Sequence, residues 1–224
     1  MLSGASRRMD VAADNIANMT TPGFKSRIAF SAYVDSNAAG EDNTPSELSF
    51  DFSPGKVVKT GNPLDLAVAG DGFFVVRSGD KIFYTRSGQF RRDDDGNIVT
   101  RNGMILQTTA GDASVNTDAF TVSGDGRIKE LDKDLGQIAL VSFSDTSALK
   151  MADGGYFAAA TQSARSVSSP QIAQGAVEQS NTSDAAQMLA LMGALRGAEG
   201  GQHIIQVYDD LLQQAAGVFG ARQA

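Results

Sequence analysis

The side chains able to do chemistry in this chain are few and poorly spaced for it. His203 is the only histidine, so neither a cluster of imidazole zinc ligands nor a two-histidine metalloprotease helix can be built. A Ser-His-Asp triad would place its base on a long helical segment, with no nucleophile-elbow sequence to present the serine. Gly70-Asp71-Gly72-Phe73-Phe74-Val75 opens like a dinucleotide-binding turn but lacks the third glycine and the helix that must follow. Arg91-Arg92-Asp93-Asp94-Asp95-Gly96-Asn97 has the acidic density of a calcium loop. Counted from Asp93, however, glycine falls at position four and Met104 at position twelve, where an EF-hand needs Gly at six and Glu at twelve. A polar hairpin turn accounts for that run. No catalytic, metal or cofactor-binding residue is assigned, no cofactor is expected, and the chain reads as something other than an enzyme.

Composition narrows the classes further. With 224 residues, 42% hydrophobic and 20% charged, the chain can bury a real core and lies far from the composition of disorder. Its net charge of −7 gives no general attraction to phosphate backbones or anionic lipid. Cysteine is absent, which removes thiolate chemistry and fits a chain that crosses into an oxidising compartment. Arg7, Arg8, Asp10 and Asp14 interrupt the N-terminal stretch where a secretory signal needs an unbroken apolar run. Export would therefore use a route other than the Sec signal.

The elements that must position any function fall into three regions, and together they predict an α+β fold. Ala5, Met9, Ala12, Ile16 and Met19 alternate spacings of four and three, as in a heptad seam along an N-terminal helix. That helix is expected to end at Thr21-Pro22-Gly23, where Pro disfavours helix in the residue before it and Gly accepts a positive φ. From about Val57 to Ala160 the pattern has period two, with candidate strands at 73–76, 81–85, 98–100, 104–106, 120–122 and 138–143. Ser78-Gly79, Asp95-Gly96, Asn102-Gly103 and Asp125-Gly126 mark tight turns between antiparallel neighbours. From Asp184 to Phe219 a long helix carries Leu191, Ala198, Ile205, Leu212 and Phe219 every seven residues, widened by Leu195, Ile204, Tyr208, Leu211 and Val218. Gly193, Gly197 and Gly201, four apart, would let another helix approach that surface.

The expected organisation is a discontinuous helical domain of residues 1–25 plus 180–224, forming a coiled-coil-like assembly domain. An extended connector at 26–56 leads to a central antiparallel all-β domain at 57–165, and a second connector covers 166–179. On these patterns alone the helix stripes favour packing inside one chain over assembly. An independent β-domain binding module or adhesin is the alternative function.

Four stretches, in order, resemble the flagellar rod and hook proteins. They are Ala13-Asp14-Asn15-Ile16-Ala17-Asn18-Met19-Thr20-Thr21-Pro22-Gly23-Phe24-Lys25, Thr60 through Phe74, Tyr84-Thr85-Arg86-Ser87-Gly88-Gln89-Phe90, and Gly175-Ala176-Val177-Glu178-Gln179-Ser180-Asn181 followed by the C-terminal helix. Chain length points to the proximal-rod type within that family. Asp14 stands where the family has Asn, and the family's helix begins about two turns upstream of Ser3, so the resemblance implies residues before Met1. It also implies a structural subunit whose terminal helices form the inner tube around an export channel, with the β body outside. Subunit packing would then fall to Met9, Ala12, Asn15, Ile16, Asn18, Met19, Leu191, Leu195, Gly197, Ile205, Tyr208, Leu212 and Phe219. The implied partners are other rod subunits, further copies of itself and the flagellar export apparatus, with no nucleic acid and no small-molecule substrate. The implied location is the periplasm-spanning rod of the basal body.

Overall fold

The computed structural model describes residues 2–28, 49–117, 119–131, 133–146, 149–152, 154–159 and 164–220. They form two compact units. The first comprises Met1–Ala17, Arg27–Ser49 and Ser183–Ala224, and the second Asn18–Ser26 and Phe50–Thr182. Most of the expected 26–56 connector, residues 29–48, lies outside the described residues.

The first unit is built on two helices, α1 (Leu2–Ala17) and α2 (Asp184–Gly220). At 1.5 Å per residue they are about 24 and 55 Å long, so α1 can cover less than half of α2. Ser183 starts α2 by accepting the Gln187 N–H at 3.0 Å, and Asp184 in the first turn complements the helix dipole. The helices pack on one another. On α1 the contact buries Ala5, Ala12 and Asn15, with Met9 and Ile16 half-buried. On α2 Ala194 is buried and Gln187, Leu191, Ala198 and Gly201 are half-buried, a four-three stripe built mostly of small residues. α1 ends at Ala17 rather than at the Thr-Pro-Gly turn, because the Asn18 carbonyl accepts the Thr21 N–H at 3.0 Å and turns the chain.

In the second unit all described strand pairings are antiparallel. The largest sheet has ten strands and is centred on Phe73–Ser78, flanked by Lys81–Thr85, Ile105–Thr108 and Leu140–Phe143. The run Phe73-Phe74-Val75-Val76 does not alternate in polarity, because this central strand is covered on both faces. Phe74 and Val76 enter a core with Leu66, Phe90, Ile98, Leu106, Ile128 and Ile138. Phe73 and Val75 enter a second core with Tyr84, Leu149 and Phe157. Phe50 and Phe52 close that second core, edge-on to Phe157 at 5.3 and 5.2 Å between ring centroids.

The turn reading holds, since Gly79, Gly96, Gly103 and Gly126 all take positive φ. The expected strand at 138–143 begins later, as Leu140–Phe143 paired with Phe73–Ser78, and the strand before it, Lys133–Gln137, which no expected strand covered, pairs with Arg127–Glu130. The chain changes partner at Ile138, whose N–H bonds Gly126 while that of Ala139 bonds Gln107. Residues 166–179, read as a connector, also hold ladder: Ile172–Gln174 pairs with Leu66–Val68 and Ala176–Glu178 with Val57–Lys59. Three-residue strands are too short to show periodicity, and their partners lie more than a hundred residues away in sequence.

Within the three-stranded meander Phe120–Val122, Arg127–Glu130 and Lys133–Gln137, Glu130 anchors the incoming loop. Its carboxylate accepts the N–H and Nδ2 of Asn116 at 2.8 and 3.1 Å and the N–H and Oγ1 of Thr117 at 2.6 and 3.0 Å. These donors, the Asn116 amide first, hold the Glu130 carboxyl below the ordinary 4.5. A depressed folded pKa contributes stability that is complete above the unfolded value and is lost as pH falls through the folded one. The gap in urea midpoint between wild type and Glu130→Gln should therefore narrow as pH drops below 4.5. A gap that stays constant through that range would contradict this role.

Candidate functional site

Parts of all four family-like stretches converge within the β unit. Gly23 turns with φ 70°, and a Cβ there would lie 2.2 Å from the Ser87 nitrogen, so only glycine fits against the Arg86-Ser87 backbone. The Gly23 N–H donates to the Glu178 carbonyl at 2.7 Å. Phe24 is buried, and Lys25 follows it inward. The Ser26 N–H reaches Asn181 Oδ1 at 2.8 Å, and Asn181 Nδ2 donates to the Asp51 carbonyl at 2.7 Å.

At the centre of this clasp three charged groups are withdrawn from water: Lys25, Arg86 and Glu178 are 2%, 4% and 1% exposed. Lys25 Nζ donates to Glu178 Oε1 and to the Ser53 carbonyl, both at 2.7 Å. Glu178 also accepts the Gly55 N–H at 2.8 Å and Arg86 Nη1 at 3.3 Å. The Arg86 guanidinium sits 5.3 Å from the centre of the Phe73 ring, a cation–π contact strengthened by the dry surroundings. Desolvation pushes both the Lys25 ammonium and the Arg86 guanidinium below their ordinary pKa values, against the pull of Glu178. Two cations share one carboxylate, so removing that carboxylate would leave buried charge without a counterion.

In the helical unit the hub is Asn15, which is fully buried. Its Oδ1 accepts the Arg27 N–H at 2.8 Å and its Nδ2 donates to the Arg27 carbonyl at 2.8 Å, so one side chain satisfies both backbone groups of that residue. Nδ2 also donates to Gln187 Oε1 at 3.1 Å, joining the end of α1 to the start of α2. Asp14 pairs with Arg27, which gives the departure from the family's Asn an ionic partner in this chain.

The other expected packing residues are distributed unevenly. Met9, Ala12, Asn15, Ile16 and Leu191 lie on the faces that α1 and α2 turn toward one another. Leu195, Tyr208 and Leu212 are 46%, 63% and 52% exposed. No heavy atom lies within 4 Å of a Cβ added at Gly193 or Gly197. Asn18 and Met19 belong to the β unit and are half-buried there. Ile205 and Phe219 lie on α2, with side chains outside the described residues. Sequence reasoning left Lys25, Arg86 and Glu178 without a role, although all three stand inside the quoted stretches. A glutamate immediately after Ala176-Val177 in an apolar ladder was the available signal.

The other candidate positions form turns or lie on the exposed surface of a helix. Asp93 spends its carboxylate on its own turn, accepting the N–H groups of Asp95 and Asn97 at 3.1 and 2.7 Å and Asn97 Nδ2 at 3.0 Å. The Gly70–Gly72 turn leads into a strand rather than a helix, and His203 is exposed on α2. Among the described residues no group of three or more His, Asp or Glu is placed to hold a metal, and no helix is long and apolar enough to cross a membrane.

Comparison with known proteins agrees with this geometry. Residues 2–25 match the model of the flagella basal body rod protein family, and residues 67–130 match that of the flagellar hook protein FlgE/F/G D1 domain. The flagellar basal-body rod protein FlgG of Bacillus subtilis (strain 168) is 29% identical over 241 residues, 92% of this chain and 91% of that one. The flagellar basal-body rod protein FlgF of Caulobacter vibrioides is 30% identical over 205 residues, 86% of this chain and 84% of that one. The flagellar hook protein FlgE of Salmonella typhimurium is 38% identical over 107 residues, 47% of this chain and 27% of that one. Lys25 and Arg86 of the clasp lie within the two matched stretches, and with a 30% identical relative aligned over most of both lengths the chain belongs to the flagellar rod and hook protein family.

Proposed function

We propose that this chain is a structural subunit of the proximal rod, of the FlgF type, and that it assembles through α1 and α2 into a helical tube. The tube surrounds the export channel and transmits torque, and the subunit reaches it through the flagellar export apparatus without a Sec signal. The observation that carries this reading is the imbalance between the two helices. α2 is more than twice as long as α1, and it leaves Met188, Leu189, Met192, Leu195, Ile204, Val207, Tyr208 and Leu212 exposed. Eight large apolar side chains exposed along one helix are more than a soluble monomer usually leaves without a partner. Coiled-coil pairing of these faces with helices of neighbouring subunits would cover them, and the open surface at Gly197 would allow a neighbouring helix to come close.

Leu195 and Ala194 separate the two roles of α2. Leu195→Asp changes an exposed position, so monomer stability should shift by no more than about 0.5 kcal/mol, while incorporation into basal bodies is lost. Ala194→Asp buries a charge between α1 and α2 and should unfold the helical pair as well. Normal incorporation of Leu195→Asp, in basal bodies isolated from a strain lacking the wild-type subunit, would remove the assembly reading. The FlgF-type assignment rests on chain length, and complementation tests it. The chain should restore the rod in a strain deleted for its FlgF-type subunit and not in one deleted for FlgG.

A further inference from the structure

With no cysteine in the chain, its thioethers are the side chains most readily oxidised. The methionines are not equally placed. Met9, Met19, Met104 and Met151 are half-buried, whereas Met188 and Met192 on α2 are 52% and 48% exposed. Among the described residues no other methionine is exposed.

Met188 and Met192 are four residues apart in α2, so their side chains lie one above the other on a single face of the helix. The exposed Leu195 continues that face. At 3.6 residues per turn it lies about 100° around α2 from the face of Gln187, Leu191, Ala194 and Ala198 that packs on α1. The helix pairing within the chain therefore leaves both methionines open to small solutes. A thioether packs as an apolar group, but its sulfoxide is polar and chiral and disrupts a contact that methionine lines.

We propose that Met188 and Met192 form an oxidation site, at which hypochlorous acid converts the two thioethers to sulfoxides and so withdraws this face of α2 from assembly. At each methionine an S–O bond forms and the O–Cl bond breaks. Sulfur gives up two electrons, and chlorine leaves as chloride with the release of one proton. The consequence for assembly rests on the reading above, in which the face that holds Leu195 is covered by neighbouring subunits.

Full-length chain treated with substoichiometric hypochlorous acid and mapped by peptide mass spectrometry should gain oxygen at Met188 and Met192 about tenfold faster than at Met9, Met19, Met104 and Met151. Equal rates would overturn the site. In cells, incorporation into basal bodies is measured with and without the oxidant, as a ratio for each strain. That ratio should fall about tenfold for wild type and stay near one for Met188→Leu/Met192→Leu, which keeps the face apolar without sulfur. A leucine variant as sensitive as wild type would overturn the proposal. Met188→Gln/Met192→Gln keeps helix propensity while carrying polarity like that of the sulfoxide, and it should be excluded from basal bodies. Leu195→Asp run beside it distinguishes the failures. If Leu195→Asp is excluded while the glutamine variant enters normally, only the oxidation site is wrong, and if both enter normally the assembly reading falls with it.

Discussion

Glu178→Gln should lower the stability of the β unit by about 3–5 kcal/mol, the usual cost of removing one member of a buried ion pair. The carboxylate is 1% exposed and is the shared counterion of Lys25 and Arg86. Glutamine keeps the shape and, with its oxygen at the Oε1 position, can still accept from Gly55 and Lys25, but it presents an N–H donor to Arg86 at the Oε2 position and leaves two cations in a dry site. Charge, rather than volume, should therefore account for most of the loss. Replacing the whole cluster, as in Lys25→Met/Arg86→Leu/Glu178→Leu, removes the uncompensated charge and should recover the larger part of it, because apolar substitutes for buried ion networks are often close to neutral. Urea unfolding of the three proteins gives the comparison. If Glu178→Gln cost less than about 1 kcal/mol, as exposed pairs do, water would be reaching the cluster and the clasp would not depend on charge.

What the sequence made legible was whatever local chemistry decides. Dipeptides such as Asn102-Gly103 and Asp125-Gly126 specify turns by themselves, and the strands at 81–85, 98–100 and 120–122 have the bounds their alternation predicts. Thr21-Pro22-Gly23 was readable as a turn for the same reason. The clasp was not readable, because Lys25 and Glu178 are 153 residues apart and no periodicity links them. A lysine after a phenylalanine looks like an ordinary surface residue until the ladder Ala176–Glu178/Val57–Lys59 brings a carboxylate beside it. The division of the termini was hidden in a similar way. Residues 18–26 follow a helix in sequence, yet their hydrogen bonds to Glu178 and Asn181 place them in the β unit.

The helices show the complementary case. Their apolar spacing was visible, but a stripe does not say which residues a partner within the chain will cover. α1 takes up the small-residue face of Ala194 and Ala198, because Ala5 and Ala12 allow close approach there. The larger side chains at Leu195, Tyr208 and Leu212 are left outside that contact. Asn15 was marked by its family-like motif alone, and its role in holding both backbone groups of Arg27 depends on a chain reversal that no local pattern encodes.

The second large effect is expected at Gly88, where space rather than backbone conformation is limiting. A Cβ on Gly88 would lie 1.5 Å from the Leu66 carbonyl oxygen, inside bonding distance, so Gly88→Ala forces two backbones apart. The Leu66 N–H donates to the Gly88 carbonyl at 2.9 Å, and Asp65 and Gln89 bridge beside it. Separation would break that contact and lift Leu66 away from Phe90 in the first core. Overpacking that moves backbone in this way costs about 3 kcal/mol, added to the lost hydrogen bond. Gly103 supplies the matched control: it has φ 78° but nothing within 4 Å of an added Cβ. Gly103→Ala therefore measures the left-handed conformation alone, about 1–2 kcal/mol. Urea unfolding should place Gly88→Ala well below Gly103→Ala in midpoint. Equal midpoints would mean that the Leu66–Gly88 approach has slack, and the family-like Ser87-Gly88-Gln89 stretch would then need a reason for its glycine other than contact with the Leu66–Val68 strand.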